Sequence, residues 1–272
     1  MIKFLAKGLI RDRSRSLFPL LTIIITVTLV IFGIGFMEGA MNNFLQSTAV
    51  ISSGHVKVVT KAYEKESSQL PNDLALFETN KIIQNLSDLY PNYFWTPRIT
   101  FGGLLDTPNE DGDTKEQGPV FGIGIDFHSK TSRQIEIWEL EKYLLHGNLP
   151  KNTNDALIST KLAKQLSVNV GSTVTLISTT MDNAFTTYNF EITGIFNLNK
   201  GQVDRQMMLV DISGARQALD MEGAASEILG YHQSLYYNDN EATSMRNDFN
   251  LTISDSITKV LRDEASYDAL SY

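Results

Sequence analysis

Four histidines, His55, His128, His146 and His232, are the side chains best suited to hold a metal or move a proton near neutral pH. They are scattered, and no two share one element at the spacing a zinc site needs. His55 sits in the alternating run Gly54-His55-Val56-Lys57-Val58-Val59 and reads as a packed or edge histidine of a strand. The chain has no cysteine, which excludes a disulfide, a thiolate metal site, a cysteine nucleophile and a lipid-modified N-terminal cysteine. Glu110, Asp111, Asp113 and Glu116 crowd one polar stretch, residues 108–118, and could suggest calcium. Its glycine and final glutamate are out of register with an EF-hand, so the stretch reads as a solvated hairpin tip. Gly122-Ile-Gly124 lacks the third glycine of a dinucleotide loop and reads as a strand lying close to another backbone. The phosphate-binding G-x-x-x-x-G-K-[ST] and the nucleophile elbow G-x-S-x-G do not occur. The expectation is a non-enzymatic chain with no catalytic, cofactor-binding or metal-binding residues.

The elements that would position any function begin with residues 16–37, which are 22 residues without a charge. At about 1.5 Å per residue they make roughly 33 Å of helix, enough for a hydrocarbon core of about 30 Å. The slightly negative mean hydropathy of the whole chain, −0.12, conceals this run. It is too long for a signal peptide, and Met37-Glu38-Gly39-Ala40-Met41 makes a poor cleavage site. Before it lie Lys3, Lys7, Arg11, Arg13 and Arg15 against the single Asp12, a basic flank that predicts a cytosolic N-terminus. Ile2, Leu5, Ala6, Leu9 and Ile10 recur at helical spacing, so residues 1–16 read as an amphipathic basic helix on the cytosolic membrane surface. Pro19 is expected in the first turn of the spanning helix, where its missing N–H costs little. Gly35 and Gly39 form a small-xxx-small pair; with Phe36, Met37 and Met41 they mark a stretch for helix packing or a lipid-facing path.

The chain carries 23 basic and 31 acidic groups, five and one of them in the first 16 residues. The remainder thus holds 18 and 30, a net of −12, which argues against a nucleic-acid partner. Strands are predicted at 54–59, 93–105 (broken by Pro97 and Gly102-Gly103), 120–126, 156–158, 173–178, 187–196, 206–210 and 224–230. Helices are predicted at 79–89, 132–145, 241–248 and 254–268, with further helices capped by Ser159 and Asp211. Strands and helices alternate without a fixed repeat, which is an α+β pattern.

The order of segments resembles the FtsX/MacB-like permease subunits of ABC transporters, especially the lipoprotein-releasing branch. The resemblance rests on the basic entry Phe4 to Ile23, the extension Gly35 to Phe44, Ser53-Gly54-His55-Val56-Lys57-Val58, Asp155 to Leu166 leading to Gly171 through Leu176, Phe190 to Phe196, and Met208-Leu-Val-Asp211. It implies one transmembrane helix followed by a mixed α/β, two-lobed periplasmic domain. The implied parts are a cytosolic helix at 1–16, a transmembrane helix with its outward extension at 17–45, a membrane-proximal lobe at 46–119 and 224–272, and an inserted β-rich lobe at 120–223. It also implies residence in the bacterial inner membrane, a separate cytosolic ATP-binding subunit, a second permease subunit, and a lipoprotein or periplasmic adaptor as cargo or partner. The family carries further spans after this domain. The present 272 residues contain no second apolar run, so a fragment of a longer permease is expected, with 254–268 approaching the next span. A stand-alone membrane-anchored binding or sensor module is the alternative.

Overall fold

The computed structural model describes residues 13–108, 114–129, 132–198, 205–252 and 267–271; for 13–16, 252 and 267–271 it describes the backbone alone. The expected basic helix therefore lies outside the described residues up to position 12, as do the carboxylates at 110, 111 and 113 and positions 254–266 of the expected last helix. The chain divides into two units, 1–47 and 48–272.

Helix α1, Arg13–Thr48, is long and apolar enough to cross a membrane. Its 36 residues give about 54 Å of helix, well beyond a hydrocarbon core of about 30 Å. Side chains 17–44 are exposed all round, as lipid contact requires. The Thr22 and Thr26 hydroxyls donate to the carbonyls of Phe18 and Thr22 at 2.9 and 2.8 Å, which hides them from an apolar surrounding. Pro19 is not in the first turn. The helix has already begun at Arg13, so Pro19 lies inside it and leaves the Arg15 carbonyl without its usual i+4 donor.

The second unit is built on a sheet in the order β10-β1-β9-β2-β3-β8-β5-β7-β4, with β6 (Thr173–Thr179) bridging β2 and β7. Its strands are β1 Val56–Thr60, β2 Tyr93–Pro108, β3 Thr114–Ile125, β4 Leu144–Gly147, β5 Asp155–Ser159, β7 Phe185–Phe196, β8 Met207–Asp211, β9 Glu227–His232 and β10 Tyr267–Ser271. Strand β2 is not broken at Pro97 or at the glycine pair. Residues 93–98 pair with β9 alone, so a strand without its N–H at Pro97 loses no ladder donor to a second neighbour. Residues 99–108 turn their pairing to β3, and at Gly103 a side chain would collide with the Ile177 carbonyl of β6 at 2.7 Å. Positions 267–271 are a strand antiparallel to β1, which overturns the expected helix at 267 and 268: pairing with β1 gives those backbone groups a ladder in place of a helical turn.

The pairing closes on itself through β2, β3, β8, β5, β7, β6 and back to β2, a mixed six-stranded barrel. Inward residues alternate along each strand: Phe101 and Leu105, Val120, Ala156 and Ile158, Val174 and Leu176, Phe190 and Ile192, Met208 and Val210 are all buried in one cluster. Helix α7 (Ile212–Leu219) adds Ile212, Ala215, Ala218 and Leu219 to that cluster. So narrow a barrel cannot take a large side chain from every strand at the same level. Gly122 stands directly opposite Phe101, and a Cβ there would sit 2.0 Å from the Phe101 ring; at Gly124 it would meet the Ala215 methyl at 2.6 Å. The close approach expected for these glycines is therefore to side chains, not to backbone.

The remaining helices are α2 Lys61–Glu66, α3 Thr79–Leu89, α4 Gln134–Ile137, α5 Leu140–Tyr143, α6 Thr160–Gln165 and α8 Asp239–Thr252. The caps fall where expected: Ser159 accepts from the Leu162 N–H at 3.2 Å and Asp211 from the Ser213 N–H at 2.9 Å. The single helix expected over 132–145 is instead α4, α5 and β4. Glu139 takes a left-handed conformation, φ 49°, and the resulting turn buries both Trp138 and Leu140.

We expect Gly122→Ala to lower the unfolding free energy by about 1–3 kcal/mol in urea titrations of the micelle-bound chain. Adding Phe101→Leu should restore part of that loss, and an unchanged midpoint for the single variant would show that the ring has room to move.

Candidate functional site: the junction of helix and sheet

Thr48 ends α1, and residues Ala49–Ser53 continue as one wide π-helical turn before Gly54 redirects the chain into β1. A helix end leaves its last carbonyls without partners. Here the sheet supplies them. Arg98 of β2 donates from Nη1 to the Ile51 carbonyl at 2.9 Å and from Nη2 to the Ser52 carbonyl, and the Tyr231 hydroxyl of β9 donates to the Val50 carbonyl at 3.0 Å. Gly54 has φ +69°, and an added Cβ would lie 3.0 Å from the Val56 carbonyl and 3.2 Å from the Leu229 Cβ, so the corner needs glycine.

Strand register explains why these groups meet. Arg98 stands directly across from Glu227, and Lys57 stands across from Leu229, which puts it diagonally beside Glu227 on the same face. The Arg98 Nε–H donates to Glu227 Oε1 at 2.6 Å, and Lys57 Nζ lies 3.3 Å from Oε2. Arg98 and Glu227 are both buried. Burial opposes the charge on Arg98, but Glu227 outweighs it and keeps the guanidinium fully protonated. Burial likewise favours a neutral Glu227, yet Arg98 and Lys57 hold it below the usual carboxylate range. Beneath the turn, Val50 and Ile51 pack against the cluster that holds Leu229 and Tyr231, with Phe94 stacked on Tyr231 at 5.7 Å.

His55 completes the corner. It is buried, its N–H donates to the Gly230 carbonyl at 2.9 Å, and its Nδ1 accepts from the His232 N–H at 3.1 Å. The packed-histidine reading of position 55 holds. Elsewhere His128 lies 3.6 Å from Asp211 and His232 lies 3.6 Å from Glu241. Among the described residues no three histidine or carboxylate groups gather in a way that could hold a metal ion.

The residues singled out from sequence fall elsewhere. Lys3, Lys7 and Arg11 lie outside the described residues, and Arg13 and Arg15 are described as helical backbone only. Pro19, Gly35, Phe36, Met37, Gly39 and Met41 all lie on α1; Gly35 and Gly39 are one turn apart, with open space where side chains would be. The junction residues Arg98, Glu227 and Tyr231 escaped sequence reading, and Lys57 was read only as part of a strand. The available signal was an arginine after a proline in one apolar strand and a glutamate inside another.

The junction's charged groups engage one another and backbone carbonyls. The arrangement is mechanical: one planar guanidinium fixes two carbonyls and a carboxylate, so the turn cannot slide or rotate without breaking several charge-assisted bonds together.

An apolar helix of membrane-spanning length is thus continued by a clamped turn into a mixed α/β domain with a small barrel. Residues 16–270 match the MacB-like periplasmic core domain, and the chain belongs to that family. Among solved structures it is similar to the extracellular domain of the noncanonic ABC-type transporter YknZ from Gram-positive bacteria. That match has 12% identity and a TM-score of 0.50, and it covers 79% of this chain and 99% of that one. It is also similar to the periplasmic region of MacB from Actinobacillus actinomycetemcomitans, at 12% identity and a TM-score of 0.47, covering 82% and 93%. No relative is found among curated proteins. At 12% identity the likeness to the YknZ domain is one of fold alone.

Removing one partner of a buried pair strands the other, so Arg98→Met and Glu227→Gln should each cost about 3–5 kcal/mol. In a double-mutant cycle read by urea unfolding, we expect the pair to cost less than the two singles added, with a coupling of about 1–3 kcal/mol. Additive effects would show that the two groups act independently.

Proposed function

We propose that this chain supplies the first span and the extracytosolic domain of an ABC-transporter permease, which conveys motion driven by ATP hydrolysis on a separate cytosolic subunit to work outside the membrane. One observation carries the reading: the turn that follows α1 is clamped to the sheet by Arg98, Tyr231 and Glu227, so a displacement arriving at Thr48 passes into β2 and β9. Membership of the MacB-like periplasmic core domain family supports it, as does the fold shared with the extracellular domain of an ABC-type transporter. The role is non-enzymatic. Arg98, Glu227 and Lys57 at the junction are engaged with one another, and Arg98 with backbone as well.

In this reading the N-terminus is cytosolic, on the strength of the basic flank Lys3 to Arg15, and the residues after about 45 are periplasmic. Residues 46–119 and 224–272, with strands β10, β1, β9 and β2, form the membrane-proximal lobe, and 120–223, with β4 to β8, the inserted one. The chain works beside a second permease subunit, with Gly35 and Gly39 at the helix contact or along a lipid path. Lipoprotein release, or export through a periplasmic adaptor, is the work that the sequence resemblance favours.

The test uses the native gene product, purified from membranes in detergent and spin-labelled on exposed barrel positions such as Phe185. We expect an ATP-hydrolysing subunit to co-purify, and the distance between labels on the two copies to change when nucleotide is trapped. In Arg98→Met the hydrolysis should persist while the distance change is lost. A product that carries no ATPase and shows no nucleotide-dependent distance change overturns the proposal and leaves an anchored binding module.

A further inference from the structure

His55 is an unusual residue to bury at a mechanical joint. It sits between the span-side turn and β1, 2% exposed, with the rings of Tyr231 and Tyr237 edge-on at 5.6 and 5.8 Å. Because Nδ1 accepts the His232 N–H, the proton of the neutral ring resides on Nε2, and Nε2 has no partner. A second proton has one place to go, Nδ1, where it would point at another N–H. The contact that now ties His55 to the end of β9 would become a repulsion inside an apolar wall.

The surrounding groups offer the imidazolium no relief. The Tyr231 hydroxyl is turned to the Val50 carbonyl, and the Tyr237 hydroxyl donates to Asp239 Oδ1 at the start of α8 at 2.9 Å. On the β9 side stands the His232 ring, itself a potential cation, in ring contact with Tyr93 of β2 and 3.6 Å from Glu241 of α8. Glu227, the carboxylate of β9, is held by Arg98 and by Lys57 of β1. We propose that His55 is an acid-sensitive pin: protonation at Nδ1 expels it from the corner and opens the segment 231–238, which joins β9 to α8, while the barrel stays closed.

The direction and the window follow from linkage. Burial, with a smaller contribution from His232, lowers the His55 pKa from 6.5 to about 4. The closed form therefore binds fewer protons than the open form between those values, and closure weakens as pH falls through 6.5 toward 4. From pH 7.5 to pH 5 the opening equilibrium should rise about 30-fold. Glu227 remains ionised at pH 5, since its pKa lies below the ordinary carboxylate range, so the Arg98–Glu227 clamp keeps its charge across this window.

Hydrogen exchange on the 272-residue chain in micelles, without any ATPase, tests this independently of the transport reading. With rates corrected for intrinsic pH dependence, protection over 231–238 should fall about 30-fold at pH 5, while strands β5 and β8 keep theirs. In His55→Asn, whose side-chain oxygen can accept the His232 N–H without titrating, the difference between the two pH values should vanish. The wild-type imidazole, followed by NMR of labelled histidine, should titrate near 4. Equal protection at both pH values, a loss spread over the barrel, a loss that persists in His55→Asn, or a His55 titrating near 6.5 would each overturn the proposal.

Discussion

The charge of Arg98 is the constraint around which the junction is organised. A guanidinium stays ionised at any accessible pH, so burying it compels a counter-charge and enough acceptors to occupy its donors. Glu227 supplies the charge and the carbonyls of Ile51 and Ser52 supply acceptors. Those carbonyls are in turn the groups that a helix end leaves unsatisfied. Two unmet demands, a buried cation and open carbonyls, therefore cancel at one place. Register does the rest, because the direct opposition of Arg98 and Glu227 holds while β2 and β9 keep their alignment. A slip of one residue would turn one of them to the other face of the sheet.

A second constraint governs the barrel. Six strands enclose too little room for six large side chains at one level, so a strand must yield where a ring such as Phe101 points inward. Phe101 points inward and β3 yields with Gly122; Ala215 of α7 approaches and β3 yields again with Gly124. The alternation glycine-isoleucine along β3 is thus two demands on one strand. The glycine face admits the neighbours, and the face with Ile123 and Ile125 fills the second cluster with Leu157, Leu209 and Leu229. Strand β2 serves both regions: its first half carries the junction and its second half closes the barrel.

Much of the scaffold was legible in the sequence, and the reasons are local. The uncharged run at 16–37, the Ser159 and Asp211 caps, and the helix at 79–89 each depend on neighbours in sequence. The misread elements depend on distant partners. Pro97 looks like a strand breaker until one knows that residues 93–98 lack a second neighbour there. The helical pattern over 132–145 fails because burial of Trp138 and Leu140 requires the left-handed Glu139 between them. Positions 267 and 268 join β1, more than 200 residues away, a pairing that no local pattern announces. The candidate site was the least legible part. A lone arginine and a lone glutamate 129 residues apart carry no motif, and what joins them is register alone.

Why the junction is ionic rather than oily follows from what each kind of contact resists. Apolar packing around Val50 and Ile51 holds the turn against separation, but dispersion forces have little direction and a packed helix end can rotate or shift by a fraction of a turn at small cost. A guanidinium fork resists rotation and sliding, because its donors lie in one plane and each acceptor must stay in line. The net stabilisation of such a buried pair is small, since desolvation offsets most of the attraction. What it contributes is a single geometry. A desolvated ion pair at the point where the π-helical turn enters the sheet therefore fixes one orientation of that turn against β2 and β9.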